Sequence, residues 1–408
     1  MTARQIVVLF LDLAVVLVLA RGLGALARRF DQPAVIGEIV AGILLGPTLF
    51  HGAVARFVFP MDVRPLLSGL ADVGVALFMF LVGLDLDRRA LRGQARATIG
   101  VSLGSMLVPF GLGFLLSFGL DGHQSPGQRL GFSLFLGIAM SVTAFPVLAR
   151  ILDDRGMSRT AVGRLALSSA AVCDVLAWSC LALVVALVAG SGQASWRVLL
   201  LAPFAAVLFW AGKPLLRKLL ERTADSARNQ LAVVLAGLLV CGAFSEWMTL
   251  HFIFGAFLFG LALPRGEALR RGIAERAEPV CAVLLLPIYF VVAGLNVDLT
   301  RIGGAQLAEL GLILLVAVGG KVLGTFGAAR LHRVGAREAG TLAVLMNTRG
   351  LTELVILTVG LNLGVLDQTL YTMMVVMAVV TTMATGPLLK LLYPRSRFLP
   401  GPVGSVRR

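Results

Sequence analysis

Several stretches of about 20 residues in this chain contain no charged side chain, among them residues 97–120, 279–297 and 368–389. About 20 apolar residues are needed for a helix to cross a hydrocarbon core roughly 30 Å thick. Within that core, only a helix or a closed barrel satisfies its own backbone hydrogen bonds. Charged residues make up only 14% of the chain, against about 25% in soluble proteins. The sequence therefore predicts an all-α polytopic membrane protein.

Hydropathy divides the chain into thirteen predicted spans, which are residues 6–27, 34–50, 65–84, 97–120, 130–151, 162–189, 196–216, 229–247, 251–264, 279–297, 306–329, 338–362 and 367–392. Residues within four positions of a span end are counted with the adjoining loop. Of the 36 Lys and Arg residues, 27 then follow odd-numbered spans, 6 lie at the N-terminus or follow even-numbered spans, and 3 lie deeper inside spans. Positively charged loops stay in the cytoplasm. This pattern predicts an outside N-terminus and an inside C-terminus, and we expect the membrane to be a bacterial cytoplasmic membrane.

This topology explains the net charge of +14, because the basic residues lie in loops beside the membrane. We therefore predict that the partner of these loops is the lipid bilayer and that the chain binds no nucleic acid. The four cysteines lie in apolar segments without metal-ligand spacing. We predict no cofactor, and no metal beyond a transported cation. Residues 1–393 are predicted to form one transmembrane domain. Residues 394–408 are predicted to form a short disordered cytoplasmic tail, with no soluble nucleotide-binding domain.

Three pairs of short segments resemble each other at offsets of 211, 214 and 205 residues, namely 82–87 with 293–298, 41–46 with 255–260, and 142–145 with 347–350. An odd number of spans separates the equivalent segments, so the two copies are inverted. The prediction is a first repeat at about 6–189, a linker span at about 196–216 and a second repeat at about 229–392. Inverted repeats are typical of secondary transporters.

Asp174 in span 6 and Lys321 in span 11 are the ionisable residues predicted to lie deepest in the membrane. A charge at this depth costs about 2.5–3.5 kcal/mol on insertion scales, so it needs a partner, water or a function. One interpretation is a carboxylate at Asp174 that alternately holds a proton and a metal cation. The alternative is a permanent salt bridge to Lys321 that ties two helices together.

Two spans contain predicted helix breaks at corresponding positions of the repeats. In span 5, Pro146 removes a backbone donor, and Ser141 and Thr143 offer hydroxyl ligands to a cation. The alternative there is a proline kink without function. In span 12, the break contains Thr348, a further hydroxyl ligand, and Gly350. Unwound backbone inside a membrane is tolerated where it lines a cavity or is packed in protein.

Four further charged side chains were weighed by their positions. Arg349 and Glu353 are four residues apart, and we predict that they compensate each other's charge and the ends of the broken helices. Glu38 near the start of span 2 and Asp72 in span 3 are candidate vestibule charges. Pairing with a loop arginine is the alternative for Glu38.

Four segments resemble motifs of the monovalent cation/proton antiporters, in the branch that contains Kef-type potassium-efflux systems and plant cation/H⁺ exchangers. They are residues 37–47, 80–87, 141–152 and 346–354, and the similarity extends over about residues 30–390. The resemblance implies thirteen helices, two crossed broken helices, a core made of spans 4–6 and 11–13, and a homodimer. It also implies that the chain exchanges Na⁺ or K⁺ for H⁺. We predict that the chain is not an intramembrane enzyme for a separate reason, because Asp174 has no acidic counterpart at matching depth in span 13 and the sequence contains no Gly-rich phosphate loop or metal-ligand spacing.

The resemblance assigns the ion-binding aspartate to Asp174 and the basic residue of the core to Lys321. The chain departs from the family at Cys173, where relatives usually have Asp or Asn, so stoichiometry and electrogenicity are not carried over. Cys173 is still predicted, with Asp174, Thr143 and Ser141, as a candidate cation- or proton-binding residue. We expect alternating access in which a cation and H⁺ compete for Asp174, assisted by Thr143. The alternatives are a cation-coupled symporter of an organic solute and a channel-like potassium efflux protein.

Overall fold

The computed structural model describes residues 2–49, 52–85, 95–123, 129–158, 160–189, 200–223, 226–248, 251–264 and 266–392. Leu86 and Asp87 of the motif at 80–87, and the predicted tail at 394–408, lie outside the described residues. In the ranges given, all regular secondary structure is helical, as the charge-free stretches predict.

The first half of the chain contains helices α1 to α8, which are α1 (Ala3–Arg29), α2 (Ala34–Leu45), α3 (Ala53–Val58), α4 (Arg64–Asp85), α5 (Ala95–Leu116), α6 (Arg129–Ser141), α7 (Phe145–Asp154) and α8 (Ala161–Ala189). The second half contains α9 (Leu201–Val207), α10 (Lys213–Arg222), α11 (Ala227–Trp247), α12 (Phe252–Ala262), α13 (Glu267–Val280), α14 (Leu286–Leu295), α15 (Gly304–Leu331), α16 (Ala336–Met346), α17 (Leu351–Asn362) and α18 (Gln368–Leu392). Two π-helical segments, Leu208–Gly212 and Cys281–Leu285, join α9 to α10 and α13 to α14.

Nine helical segments among the described residues are long and apolar enough to cross a membrane, and the bent pair α16–α17 makes a tenth. Each of the thirteen predicted ranges contains described helix. The difference in number arises where the helices are short. Ranges 34–50 and 251–264 yield α2 and α12, of 12 and 11 residues, and range 196–216 begins outside the described residues.

The chain forms two compact units. The first unit consists of residues 1–26, 37–87 and 178–301, and the second of residues 27–36, 88–177 and 302–408. Helix α8 therefore contributes its N-terminal part to the second unit and its C-terminal part to the first. The second unit contains α5, α6, α7, the start of α8 and α15 to α18, which correspond to spans 4–6 and 11–13.

Helices of the first unit approach one another closely at pairs of glycines. A Cβ placed on Gly42 of α2 would lie 2.8 Å from the Cα of Gly294 of α14. A Cβ placed on Gly83 of α4 would lie 3.3 Å from the Cα of Gly260 of α12. Small residues that let backbones approach are the usual means of packing helices in a membrane, where lipid removes the hydrophobic driving force.

The second unit packs around a buried apolar cluster drawn from α5, α7, α8, α15, α16 and α18, in which Leu148, Ala166, Ala329 and Leu342 are fully buried. Helices α5 and α15 meet without an intervening side chain at Gly324, where a Cβ would lie 2.1 Å from a backbone oxygen of α5. This packing holds the continuous helices α5, α8, α15 and α18 around the two interrupted ones, α6–α7 and α16–α17.

Candidate functional site

The two interrupted helices of the second unit contact each other at their breaks. Between α6 and α7, the backbone N–H of Ala144 donates to the carbonyl of Thr348, which lies between α16 and α17, at 3.0 Å. The hydroxyl of Thr143 donates to the carbonyl of Met346 at 2.8 Å. Each break therefore supplies hydrogen-bond partners that the other has lost from its own helix.

Pro146 lies in the first turn of α7, a position where a helix tolerates proline because the N–H there has no partner within the helix. The missing N–H and the bulk of the ring prevent α6 from continuing through this point. The helix consequently ends at Ser141 and restarts at Phe145. The break lies where the sequence predicts it.

The last four carbonyls of α6, residues 138–141, have no helical partner, and side chains satisfy all of them. The Ser141 hydroxyl donates to the carbonyl of residue 138 at 2.8 Å. The guanidinium of Arg349 donates to the carbonyls of residues 139 and 140 at 2.9 and 2.8 Å. The ammonium of Lys321 donates to the Ser141 carbonyl at 2.5 Å. The broken end of α6 is thus completely capped.

Two of these caps are buried cations, which places positive charge at the negative end of the α6 dipole. Arg349 also forms an ion pair with Glu353 at 2.8 Å, and both side chains are inaccessible to solvent. Lys321 donates a further hydrogen bond to the Thr143 hydroxyl at 2.7 Å. Arg349 and Glu353 therefore contact each other and a helix end, the arrangement expected of structural charges.

Asp174 lies on α8 with only 2% of its surface exposed. The backbone N–H of Phe145, the first residue of α7, donates to its carboxylate. The positive end of a helix dipole stabilises an anion at this position. One carboxylate oxygen, Oδ1, has no hydrogen-bond partner among the described residues.

The permanent salt bridge between Asp174 and Lys321 is not formed. Among the described residues, no ion pair joins Asp174 to Lys321. The Lys321 ammonium binds the Ser141 carbonyl and the Thr143 hydroxyl instead. A neutral carbonyl and a hydroxyl therefore accept from the buried lysine, and the Asp174 carboxylate stays available for another positive partner.

Two further unpartnered oxygens lie in the second break. The Thr348 hydroxyl and the Asn347 Oδ1 are buried and have no hydrogen-bond partner in the part of the chain that the structure describes. Two consecutive residues of the first break bind Thr348 and Asp174. The N–H of Ala144 donates to the Thr348 carbonyl, and the N–H of Phe145 donates to the Asp174 carboxylate. A buried acceptor without a donor costs about 1–3 kcal/mol. A bare monovalent cation or a proton can offset that cost.

The hydroxyls of Ser141 and Thr143, which the sequence nominates as cation ligands, are engaged in holding the breaks together. Ser141 donates to α6 itself, and Thr143 donates to Met346 while accepting from Lys321. In this conformation Thr348 is the predicted hydroxyl ligand that remains unpartnered. Asn347 was not predicted as a site residue, although an amide side chain in a predicted helix break is a usable signal.

Cys173 precedes Asp174 but its thiol faces α5. The sulfur lies 3.3 Å from the Ser105 hydroxyl and 3.6 Å from the Ser102 carbonyl. The Ser102 hydroxyl in turn donates to the carbonyl of Ser169 on α8 at 3.1 Å. This seam of small polar residues was not predicted, although Thr98, Ser102 and Ser105 follow each other at spacings of four and three residues and so lie on one face of α5.

Gly350 ends the second break and approaches α7. A Cβ at this position would lie 2.6 Å from a methyl carbon of Val147, so glycine allows α17 to begin against α7.

The candidate vestibule residues belong to the first unit. Glu38 is half-buried on α2 and Asp72 is exposed on α4, whereas Asp174 belongs to the second unit.

A polytopic helical protein with two mutually bonded helix breaks beside a buried carboxylate has the architecture of a secondary transporter. A family model described as "Sodium/hydrogen exchanger, transmembrane" matches residues 14–393. The chain belongs to this family, a family of transporters and not of enzymes, and it is a multi-pass integral membrane protein. The resemblance drawn from the sequence motifs is thereby confirmed.

Relatives and a solved structure agree with this assignment. The chain is 37% identical to the Na⁺/H⁺ antiporter NhaS4 of Synechocystis, over 97% of this chain and 99% of that protein. It is 34% identical to the K⁺/H⁺ antiporter 1 of Saccharomyces cerevisiae, over 90% of this chain but only 44% of that longer protein. Its fold is similar to that of the sodium proton antiporter MjNhaP1 of Methanocaldococcus jannaschii, with a TM-score of 0.71 at 15% identity, over 96% of this chain and 98% of the other.

Proposed function

We propose that this protein exchanges a monovalent cation, Na⁺ or K⁺, for H⁺ across the membrane by alternating access at Asp174. The observation that carries the proposal is the buried Asp174 carboxylate, which has an unpartnered oxygen and no ion-pair partner among the described residues. Its environment provides one backbone donor and leaves Oδ1 unpartnered, and the nearest lysine is bound elsewhere. Relatives named as Na⁺/H⁺ and K⁺/H⁺ antiporters support the choice of ions.

In the proposed cycle, a cation and a proton compete for Asp174. With the site open to one side, the cation binds the carboxylate with help from the Thr348 hydroxyl and carbonyl oxygens of the breaks. After the site has opened to the other side, H⁺ displaces the cation. In both transits the carboxylate is compensated, whereas the bare anion would bear the full cost of a charge in the membrane.

We propose in addition that the chain forms thirteen membrane spans in two inverted repeats. The glycine contacts of the first unit support this, because segments 41–46 and 255–260 resemble each other, as do 82–87 and 293–298. Gly46 is equivalent to Gly260, and Gly294 is equivalent to Gly83. A Cβ on Gly46 would lie 3.4 Å from the carbonyl oxygen of Gly294, and a Cβ on Gly260 would lie 3.1 Å from the carbonyl carbon of Gly83, so equivalent glycines make equivalent contacts. We further propose a homodimer in a bacterial cytoplasmic membrane, with the N-terminus outside and the C-terminus inside.

The test is cation-driven proton movement in proteoliposomes that contain a trapped pH dye. A pulse of external Na⁺ or K⁺ should drive protons out of the wild-type vesicles and raise their internal pH. Asp174→Asn should abolish this signal. The matched control is Asp12→Asn, because Asp12 is also buried, on α1 of the first unit, and also has an unpartnered oxygen. That variant should retain exchange.

The other outcomes select between the alternatives. Exchange that survives Asp174→Asn would remove the central residue from the scheme. Transport that requires an organic solute would identify a symporter. Cation flux that does not respond to an imposed proton gradient would identify a channel.

A further inference from the structure

We infer that Thr382 on α18 is a positioning residue for ion exchange, which holds the second break in the geometry that the cation site requires. The inference rests on the proposed function and extends it to a residue outside the breaks. Thr382 is buried, with 1% of its surface exposed. Its hydroxyl accepts a hydrogen bond from the backbone N–H of Arg349 at 2.9 Å and donates one to the carbonyl of Arg349 at 2.8 Å.

Arg349 needs this partner because neither of its peptide groups can join a helical ladder. The carbonyl of Leu345, four residues earlier, already accepts from the N–H of Thr348. The hydrogen bonds of α17 begin one residue later, with the N–H of Leu354 donating to the carbonyl of Gly350. A hydroxyl can donate and accept at once, so one threonine satisfies both orphaned groups.

The position of Arg349 determines the rest of the site. Its side chain caps α6 through the carbonyls of residues 139 and 140. The residue before it, Thr348, binds Ala144 through its carbonyl and contributes the unpartnered hydroxyl. When Thr382 cannot bond, the backbone of Arg349 is released, and the Thr348 oxygens are no longer fixed relative to Asp174.

The adjacent threonine provides a matched control. Thr381 is equally buried on the same helix, but its hydroxyl donates within α18 to the carbonyls of Met377 and Ala378, at 2.8 and 3.1 Å. Thr381→Val and Thr382→Val therefore remove the same chemical group from the same helix. Only Thr382→Val removes hydrogen bonds from the break.

Transport kinetics and hydrogen exchange together test the inference. In the proteoliposome assay, we expect Thr382→Val to raise the half-saturating cation concentration by about tenfold with a smaller change in maximal rate, because about 1.4 kcal/mol of cation binding is lost. Thr382→Ser, which keeps the hydroxyl, and Thr381→Val should each have a half-saturating cation concentration within about twofold of wild type. Hydrogen exchange of peptides covering residues 345–353 should accelerate in Thr382→Val alone, because the Arg349 N–H loses its acceptor.

The outcomes separate this inference from the proposed function. Wild-type half-saturation and wild-type protection in Thr382→Val would overturn the positioning role. A wild-type protein without cation-driven proton movement would refute the proposed function, and the hydrogen-exchange comparison would still decide the role of Thr382. If Thr382→Val fails to fold, Thr382→Cys replaces it, because cysteine has a similar volume and a weaker hydrogen-bonding group. The same two measurements are then made on that variant.

Discussion

The buried pair of Arg349 and Glu353 allows a quantitative test of how the broken helices are stabilised. Glu353 has no exposed surface, accepts from Arg349 through Oε1 and has no partner at Oε2. Glu353→Gln retains the size of the side chain and an oxygen that can accept from Arg349. It therefore removes the negative charge and leaves the buried guanidinium uncompensated.

The size of the expected effect follows from these contacts. Breaking a buried ion pair by removing one partner costs about 3–5 kcal/mol. We expect Glu353→Gln to lie near the lower end of that range, because one hydrogen bond to Arg349 survives. Arg349→Met should cost more, since the carbonyls of residues 139 and 140 also lose their donors, at about 1–3 kcal/mol each.

The double variant Arg349→Met with Glu353→Gln contains neither buried charge. Replacing a whole buried pair by neutral groups is often close to neutral, so the remaining cost is that of the two uncapped carbonyls. We expect the double variant to be more stable than Arg349→Met alone. The destabilisation of the double variant should be smaller than the sum of the two single effects.

The assay is reversible unfolding in mixed micelles, with increasing SDS added to a mild detergent. The control is Glu338→Gln, which changes an exposed glutamate on the other half of the same broken helix, and it should lie within about 0.5 kcal/mol of wild type. The reasoning is refuted when Glu353→Gln unfolds like this control, or when the effects of the single substitutions simply add.

Two further predictions concern the second unit. His123 forms a hydrogen bond with Asp367 and a second with Glu309, and these raise the pKa of His123 to about 9. The stabilisation that His123 contributes should therefore be complete below the ordinary histidine pKa of about 6.5, and it should be lost as the pH rises through about 9. The melting temperatures of wild type and His123→Gln should therefore converge between these pH values, and a constant difference up to pH 10 would contradict the assignment. Gly324→Ala should destabilise the protein by about 1–3 kcal/mol, because its Cβ meets backbone of α5 at 2.1 Å. In the same unfolding assay Gly327→Ala, with nothing within 4 Å, should be neutral or slightly stabilising.

Sequence patterns predicted the features that depend on the membrane environment of each segment. Charge-free stretches of membrane length indicated helices, and the rarity of charges inside them singled out Asp174 and Lys321. Proline chemistry located the first break at Pro146, and the repeat offset located the second near Thr348. Each of these signals lies within a single segment, so it can be read without knowing how the segments pack.

The partners of these residues were not predictable, because they come from cross-helix contacts. Pairing Lys321 with Asp174 was the natural alternative for two opposite buried charges, yet the ammonium binds the end of α6. Thr382 carried no distinguishing signal next to Thr381, and only packing decides which of the two hydroxyls reaches Arg349. The lengths of α2 and α12, 12 and 11 residues, also differ from the ranges 34–50 and 251–264 that hydropathy predicts.

The contacts of Lys321 explain how the chain accommodates Cys173 at a position where the family resemblance leads to the expectation of Asp or Asn. A buried ammonium requires negative partners, and an acidic side chain at residue 173 would be one source. Here the Ser141 carbonyl at the negative end of α6 and the Thr143 hydroxyl take that role. The thiol of Cys173 is then free to pack into the serine seam of α5. Among the described residues, the Asp174 carboxylate therefore has no ion-pair partner and an Oδ1 without a hydrogen bond, whereas Glu353, whose Oε2 is also unpartnered, is paired with Arg349.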